Sequence, residues 1–127
     1  MKLMTIAMHL QDSSRGTFGS DIFVTEMPLA CKEGILLMDT YSGSRIDHEL
    51  PGWRDTGFRL VTRSADYLTG ENLARGTGEF LKTQQEVVVR DILVKKCLPV
   101  TDPHPYRRSE AGYWEFEVDI EITYLEL

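Results

Sequence analysis

Cysteine is scarce in this 127-residue chain, and an excess of positive charge, a long unbroken apolar run and a metal-binding spacing are missing altogether. Cys31 and Cys97 are too few and too far apart for a disulfide framework or a Cys-x-x-Cys site, so two reduced, buried thiols made in a cytoplasm are expected. Lys and Arg total 14 against 20 Asp and Glu, a net charge of -6, and the basic residues are scattered. A binder that works by neutralising phosphates needs a clustered positive surface, so specific nucleic-acid binding is excluded as the main role. Met1 to Leu10 is apolar over much of its surface but lacks the long run and small-residue cleavage site of a signal peptide, and no other stretch could span a bilayer. The chain is expected to be soluble and unprocessed, with no membrane partner. His9, His48 and His104 show no His-x-x-x-His spacing, and no serine sits in a nucleophile elbow. No catalytic residue, metal ligand set or cofactor is therefore assigned. Asp47-His48-Glu49 is the one tight carboxylate–imidazole cluster; adjacent residues in a flexible loop preorganise a site poorly and would hold a divalent ion only loosely.

What is present is a hydrophobic content of 42%, enough for one core and too little for two, so residues 1–127 are read as a single domain. Leu3, Ile6, Ala7 and Leu10 form a stripe at helical spacing, widened by Met4 and Met8, opposite Lys2, Thr5 and His9. Gly16 and Gly19 break that helix, and Phe18, Ile22 and Phe23 return to the core before Pro28. Residues 34–39, Gly-Ile-Leu-Leu-Met-Asp, read as a central strand buried on both faces. The apolar pattern vanishes over residues 40–55, which read as a long surface connection. Alternation resumes in a strand over 56–63. Ser64 offers an N-cap, with Asp66 in the first turn, to a helix running to about Lys82 whose inward stripe is Tyr67, Gly70, Leu73, Ala74, Thr77, Phe80 and Leu81. Val87-Val88-Val89 opens a strand to about Cys97, and Pro99, Pro103 and Pro105 force an extended connection unable to join a ladder fully. Trp114, Phe116, Val118, Ile120, Ile122 and Tyr124 then alternate without error against polar neighbours. The order helix, strand, strand, helix, strand, strand predicts an α+β fold: a mixed or antiparallel sheet of about four to five strands with two helices packed on one face.

Against this background Phe58-Arg59-Leu60-Val61-Thr62-Arg63-Ser64-Ala65-Asp66-Tyr67, followed by Asn72-Leu73-Ala74, resembles the strand-into-helix passage of the bacteriophage tail terminators, also known as minor capsid or tail completion proteins of long, non-contractile-tailed phages. Gly16-Thr17-Phe18-Gly19-Ser20-Asp21-Ile22-Phe23, then Met27-Pro28, is similar to the glycine-bracketed segment after their first helix. The polar Arg45 to Trp53 stretch sits where that family carries a variable loop, and the proline-rich connection before the last strand also fits. The resemblance covers most of the chain. It implies a homo-oligomeric ring of six subunits that caps the tail tube, stops polymerisation and presents a surface to head-completion or connector proteins. It further implies assembly in the host bacterial cytoplasm, a final position at the head–tail junction of the virion, and DNA passing through the lumen without specific binding. No catalytic residues come with the family.

Two groups are singled out on that reading. Tyr41, Arg45, Trp53 and Arg54 combine the side chains enriched at protein interfaces and are expected either to meet a neighbouring subunit or the tube, or to be satisfied locally, with Trp53 folded back onto the sheet edge and Arg54 paired with Asp55 or Glu49. Glu115, Glu117, Asp119 and Glu121 fall roughly 6.6 Å apart on one strand face, given about 3.3 Å of rise per residue. They make either a solvated outer face that discourages pairing with other chains or, as a face or at its end, a lumen lining that repels DNA. The competing roles are a head-completion stopper, the tube protein itself, a metal-dependent hydrolase or nuclease using Asp47, His48 and the acidic final strand, and a host-encoded binding module.

Overall fold

The structure is a computed structural model that describes residues 3–40, 43–109 and 111–127. Its elements in chain order are α1 (Leu3–Asp12), β1 (Ile22–Val24), β2 (Gly34–Asp39), β3 (Arg45–Ile46), β4 (Trp53–Ser64), α2 (Tyr67–Leu81), β5 (Val87–Val89), β6 (Ile92–Pro99), β7 (His104–Arg108) and β8 (Trp114–Glu126). The eight strands form one curled sheet in the order β1-β2-β4-β8-β6-β5, with β3 paired to β4 and β7 to β8. The class is the expected α+β, and the sheet is mixed, because β1 and β2 run parallel while the other pairs are antiparallel. The expected four to five strands undercount it.

The extra strands come from places where breakers hide pairing. Residues 40–55 are not one loop: Arg45 and Ile46 pair with Asp55 and Arg54, and Trp53 already belongs to β4. The Val87 to Cys97 run is not one strand but a hairpin, turning at Arg90 and Asp91 with Arg90 at φ 51°. Asn-Gly or Asp-Gly would have marked such a turn, whereas Arg-Asp carries no such signal. That turn is tied to α1 by Arg90–Asp12 at 2.6 Å and by Thr5 Oγ1 donating to Asp91 at 3.2 Å. The proline-rich connection does enter the sheet as β7, an edge strand whose register shifts between Pro105 and Arg107, the kind of place a residue without an N–H is tolerated.

One core lies between the sheet and the two helices. Ile6, Ala7 and Leu10 of α1 and Ala74 and Leu81 of α2 pack with Ile35 and Leu37, Phe58 and Leu60, and Phe116, Val118, Ile120, Ile122 and Tyr124. Both helices therefore cover the same face. α2 sits close because Gly70 lies over Phe116, where an added Cβ would come within 3.1 Å of the ring, and because Thr62 Oγ1 donates to the Gly70 carbonyl at 2.9 Å. The helix cap is Asp66 rather than Ser64: its carboxylate accepts from the Thr69 hydroxyl at 2.7 Å and from the Thr69 N–H at 3.0 Å, and these bonds, the hydroxyl's first, draw its pKa below the ordinary 3.8. Ser64 remains the last residue of β4, with Oγ accepting from the Asp66 N–H. Tyr67, expected on the inward stripe, is 42% exposed at the helix start, yet its ring meets Phe116 edge-on.

β2 is buried on both faces as expected, but it is one short strand from the sheet edge rather than central. Its second cover comes from the crossover between β1 and β2. Residues 25–33 leave β1 through a tight turn with Thr25 at φ 75°, closed by the Glu26 N–H donating to Val24 O, and cross the side of the sheet away from the helices. There Met27 lines a groove with Leu36 and Val61.

Candidate functional site

The strand alternation places Asp55, Gly57, Arg59, Val61 and Arg63 of β4 beside Thr123, Glu121, Asp119, Glu117 and Glu115 of β8, all on the face turned away from the helices. The four predicted carboxylates thus do share a face. They do not form a uniform negative surface, because β8 is an interior strand and its upper half is covered. Glu115 is 1% exposed. Arg63, itself 3% exposed, reaches it with Nε at 2.9 Å and NH2 at 2.8 Å, and Arg107 Nε reaches its other oxygen at 2.8 Å. The remaining guanidinium nitrogen of Arg63 donates to the carbonyls of Pro28 (2.7 Å) and Cys31 (3.0 Å), so one buried cation pins the 25–33 crossover to the sheet. Glu117, mostly buried, lies 3.3 Å from both Arg59 and His104. Asp119 pairs with Arg59 at 3.4 Å, and Glu121 is exposed. Every buried charge here is matched, as burial of charge requires.

Of the predicted interface group, Tyr41 lies outside the described residues. Arg45 is exposed on β3 opposite Asp55. Trp53 is half-buried at the start of β4, with the Lys95 ammonium 5.7 Å from its ring centre. Alternation sends Arg54 to the opposite face from Trp53 and Asp55, and its NH1 donates to the Trp53 carbonyl at 2.9 Å. The group is thus gathered at one end of the sheet but divided between its two faces. The structure does bring together two residues that the sequence kept apart: Arg45 and Glu121 line one open groove of about 360 Å³, with Asp55, Lys96 and Thr123 on its walls and Gly57 beneath.

Asp47 is committed to the turn between β3 and β4, its Oδ1 accepting from the N–H groups of Glu49 (2.9 Å) and Leu50 (3.0 Å). Among the described residues no group of three His, Cys, Asp or Glu side chains is placed to hold a metal. His9 stacks on Phe80, and burial lowers its pKa from 6.5 against the opposing pull of Asp12. Cys97 is buried and its pKa is pushed up to about 12, whereas Cys31 is only half-buried, contrary to expectation.

A second arginine–aromatic cluster, at the opposite end of the sheet, escaped the sequence reading. Arg108 lies 4.4 Å over the Trp114 ring, Trp114 meets Tyr67 edge-on at 5.1 Å, and Arg107 lies 5.2 Å from Tyr106. The signal was present as Tyr106-Arg107-Arg108 and Tyr113-Trp114 on either side of Gly112, but the preceding prolines made it look like a linker.

Among the described residues no helix is long and apolar enough to cross a membrane. No match is found among curated proteins. A family model described as "Bacteriophage tail terminator protein" matches residues 9–126, taking in every strand, α2 and both arginine–aromatic ends. With nearly the whole length matched, the chain belongs to the bacteriophage tail terminator family, whose members are structural components of the virion that work by contact with other tail or virion proteins.

Proposed function

We propose that this chain forms a ring, of six subunits, that caps the tail tube of a long, non-contractile-tailed phage, stops its polymerisation and offers the head-completion protein a joining surface. The observation that carries this is the family match over residues 9–126. The mechanism is templated assembly: the ring binds the last tube ring through one surface and replaces the polymerising surface with a different one. Head-to-tail contacts between copies close such a ring when their rotation closes. Arg45, Trp53, Arg54 and Tyr41 serve a neighbouring subunit or the tube, a role supported by their interface-type chemistry and, for Arg45, Trp53 and Arg54, by position at one end of the sheet. The exposed end of the acidic row, Asp119 and Glu121, lines the lumen and repels passing DNA; the buried and paired Glu115 and Glu117 contribute little field there. No catalysis is involved. The test is electron microscopy of the protein added to purified tails: density confined to the head-proximal end is the expected result, and decoration along the tube, or none, refutes it. Polymerisation of the protein alone into tubes would identify a tube protein instead.

A further inference from the structure

The sheet runs from β1 to β5, and these two edge strands are finished differently. At β1 the backbone of Ile22 is satisfied by the preceding turn: its N–H donates to the Thr17 carbonyl and its own carbonyl accepts from the Gly19 N–H. β5 has β6 as its only neighbouring strand among the described residues. Val89 and Ile92 flank the two-residue turn at Arg90 and Asp91, so they are the hydrogen-bonded pair that closes the hairpin, and the next pair, Val88 with Leu93, is not hydrogen-bonded. The N–H and C=O of Val88 therefore point out of the sheet, and among the described residues nothing bonds to them. We infer that β5 is the docking edge for a second copy of this chain, joined antiparallel across a twofold axis at Val88 to make a homodimer of the free protein. The inference goes beyond the ring-capping reading and does not rest on it. A twofold contact uses the same patch on both copies and closes at two, whereas a ring needs head-to-tail contacts made elsewhere.

The sequence of the edge selects its own copy. Glu86-Val87-Val88-Val89-Arg90 reads acid, three valines, base. Antiparallel pairing centred on Val88 sets Val88 against Val88, Val87 against Val89 and Glu86 against Arg90, with opposite charges facing at both ends. Moving the axis one residue either way sets Glu86 or Arg90 against Val88 and loses the ion pairs; moving it two sets Glu86 on Glu86 or Arg90 on Arg90, like against like. Glu86 is exposed and makes no ion pair among the described residues. Arg90 holds Asp12 through NH1, which leaves its other guanidinium nitrogens for the arriving carboxylate.

The side chains point the same way. On the face away from the helices, strand register lines up Trp53, Leu125, Leu93 and Val88, from β4, β8, β6 and β5 in turn, as an apolar row that crosses the sheet and stops at its edge. The first three are half-buried, and Val88, the last, is 61% exposed. A second copy continues the row through its own Val88 and removes that apolar surface from water. Edge strands are ordinarily guarded by a lysine, a proline or a bulge, as β7 is by Pro105 and its register shift, and β5 has none of these.

The experiment is sedimentation equilibrium of the full chain over a range of concentrations, with circular dichroism as the check of folding. The wild type is expected to pass from monomer to dimer as its concentration rises. Val88→Lys is expected to keep the wild-type spectrum and to raise the dimer dissociation constant at least about tenfold, because two ammonium groups then meet on the axis. Glu86→Arg and Arg90→Glu are each expected to weaken the dimer, and an equal mixture of the two to restore it, since opposite charges face each other again at both ends only in this register. Should Arg90→Glu fail to fold once its bond to Asp12 is gone, Val88→Lys decides alone. A wild type that stays monomeric overturns the inference, and so does a dimer that Val88→Lys leaves intact or that folded variants fail to restore on mixing. A wild-type mass of six subunits overturns it too: one that Val88→Lys breaks would make β5 a ring contact, and one that it leaves whole would leave β5 unused. Failure of the protein to cap purified tails would remove the ring reading and leave this result standing.

Discussion

The two halves of the outward row on β8 have the same sequence pattern and opposite fates. Glu115 and Glu117 are buried among Arg63, Arg107, Arg59 and His104, while Asp119 is partly exposed and Glu121 exposed beside Gly57. The upper half is overlain by the 25–33 crossover and flanked by β7, so each carboxylate lost water and had to gain a cation. The lower half has no such cover among the described residues and keeps its solvent. A row of alternating acids therefore reports which face it occupies and nothing about whether that face is wet.

The comparison is broken most forcefully at Arg63. Arg63→Met leaves Glu115 buried without its main partner and frees the crossover, and a loss of about 3–5 kcal/mol is expected in urea unfolding. The double variant Arg63→Met, Glu115→Met should recover part of that loss, because no buried charge is left behind. If the single variant instead unfolds like the wild type, the upper half is not the closed ion network described. The thiols give a second contrast. With the Cys97 pKa near 12, roughly one molecule in ten thousand carries its thiolate at pH 8, so a thiol-directed reagent should label half-buried Cys31 in the native protein and Cys97 only after unfolding. Equal labelling of both would place Cys97 outside the core.

A smaller effect is expected at the α2 cap. The Asp66 carboxyl has its folded pKa held below 3.8 by its bonds to Thr69, so its contribution to stability is present above that pH and fades as the pH falls through the lower, folded value. Asp66→Asn should remove this acid-side component from the pH dependence of the melting temperature and leave the neutral-to-alkaline side of the curve unchanged in shape. Least of all is expected from Glu121→Gln, whose unfolding midpoint should match the wild type, since the side chain is exposed and makes no ion pair among the described residues. A clear destabilisation there would mean that the lower half is as closed as the upper.

Much of the fold was legible where hydrophobic period and element coincide. α1, β2, β4, α2 and β8 all stand where apolar spacing put them, because a period of 3.6 or 2 survives any tertiary context that buries one face. Strands β3, β5 and β7 were not legible as separate elements. β3 is two exposed residues with no pattern to find, β5 and β6 are joined by a turn without turn residues, and β7 contains Pro105. The candidate surfaces divide in the same way. Arg45, Trp53 and Arg54 drew notice because a polar stretch isolated them, whereas Arg108 and Trp114 are six positions apart and meet only because a hairpin folds one over the other.

Taken alone, the order of residues determined the class of fold, the helix and long-strand positions and the likeness to tail terminators, since each depends on short-range periodicity or on the spacing of a motif. Tertiary structure decided which carboxylates are dry, which arginines are already paired and which remain available at the ends of the sheet. Burial and ion pairing depend on what crosses over a strand, and here the cover comes from residues 25–33 and from β7, far from β4 in the chain but against it in space.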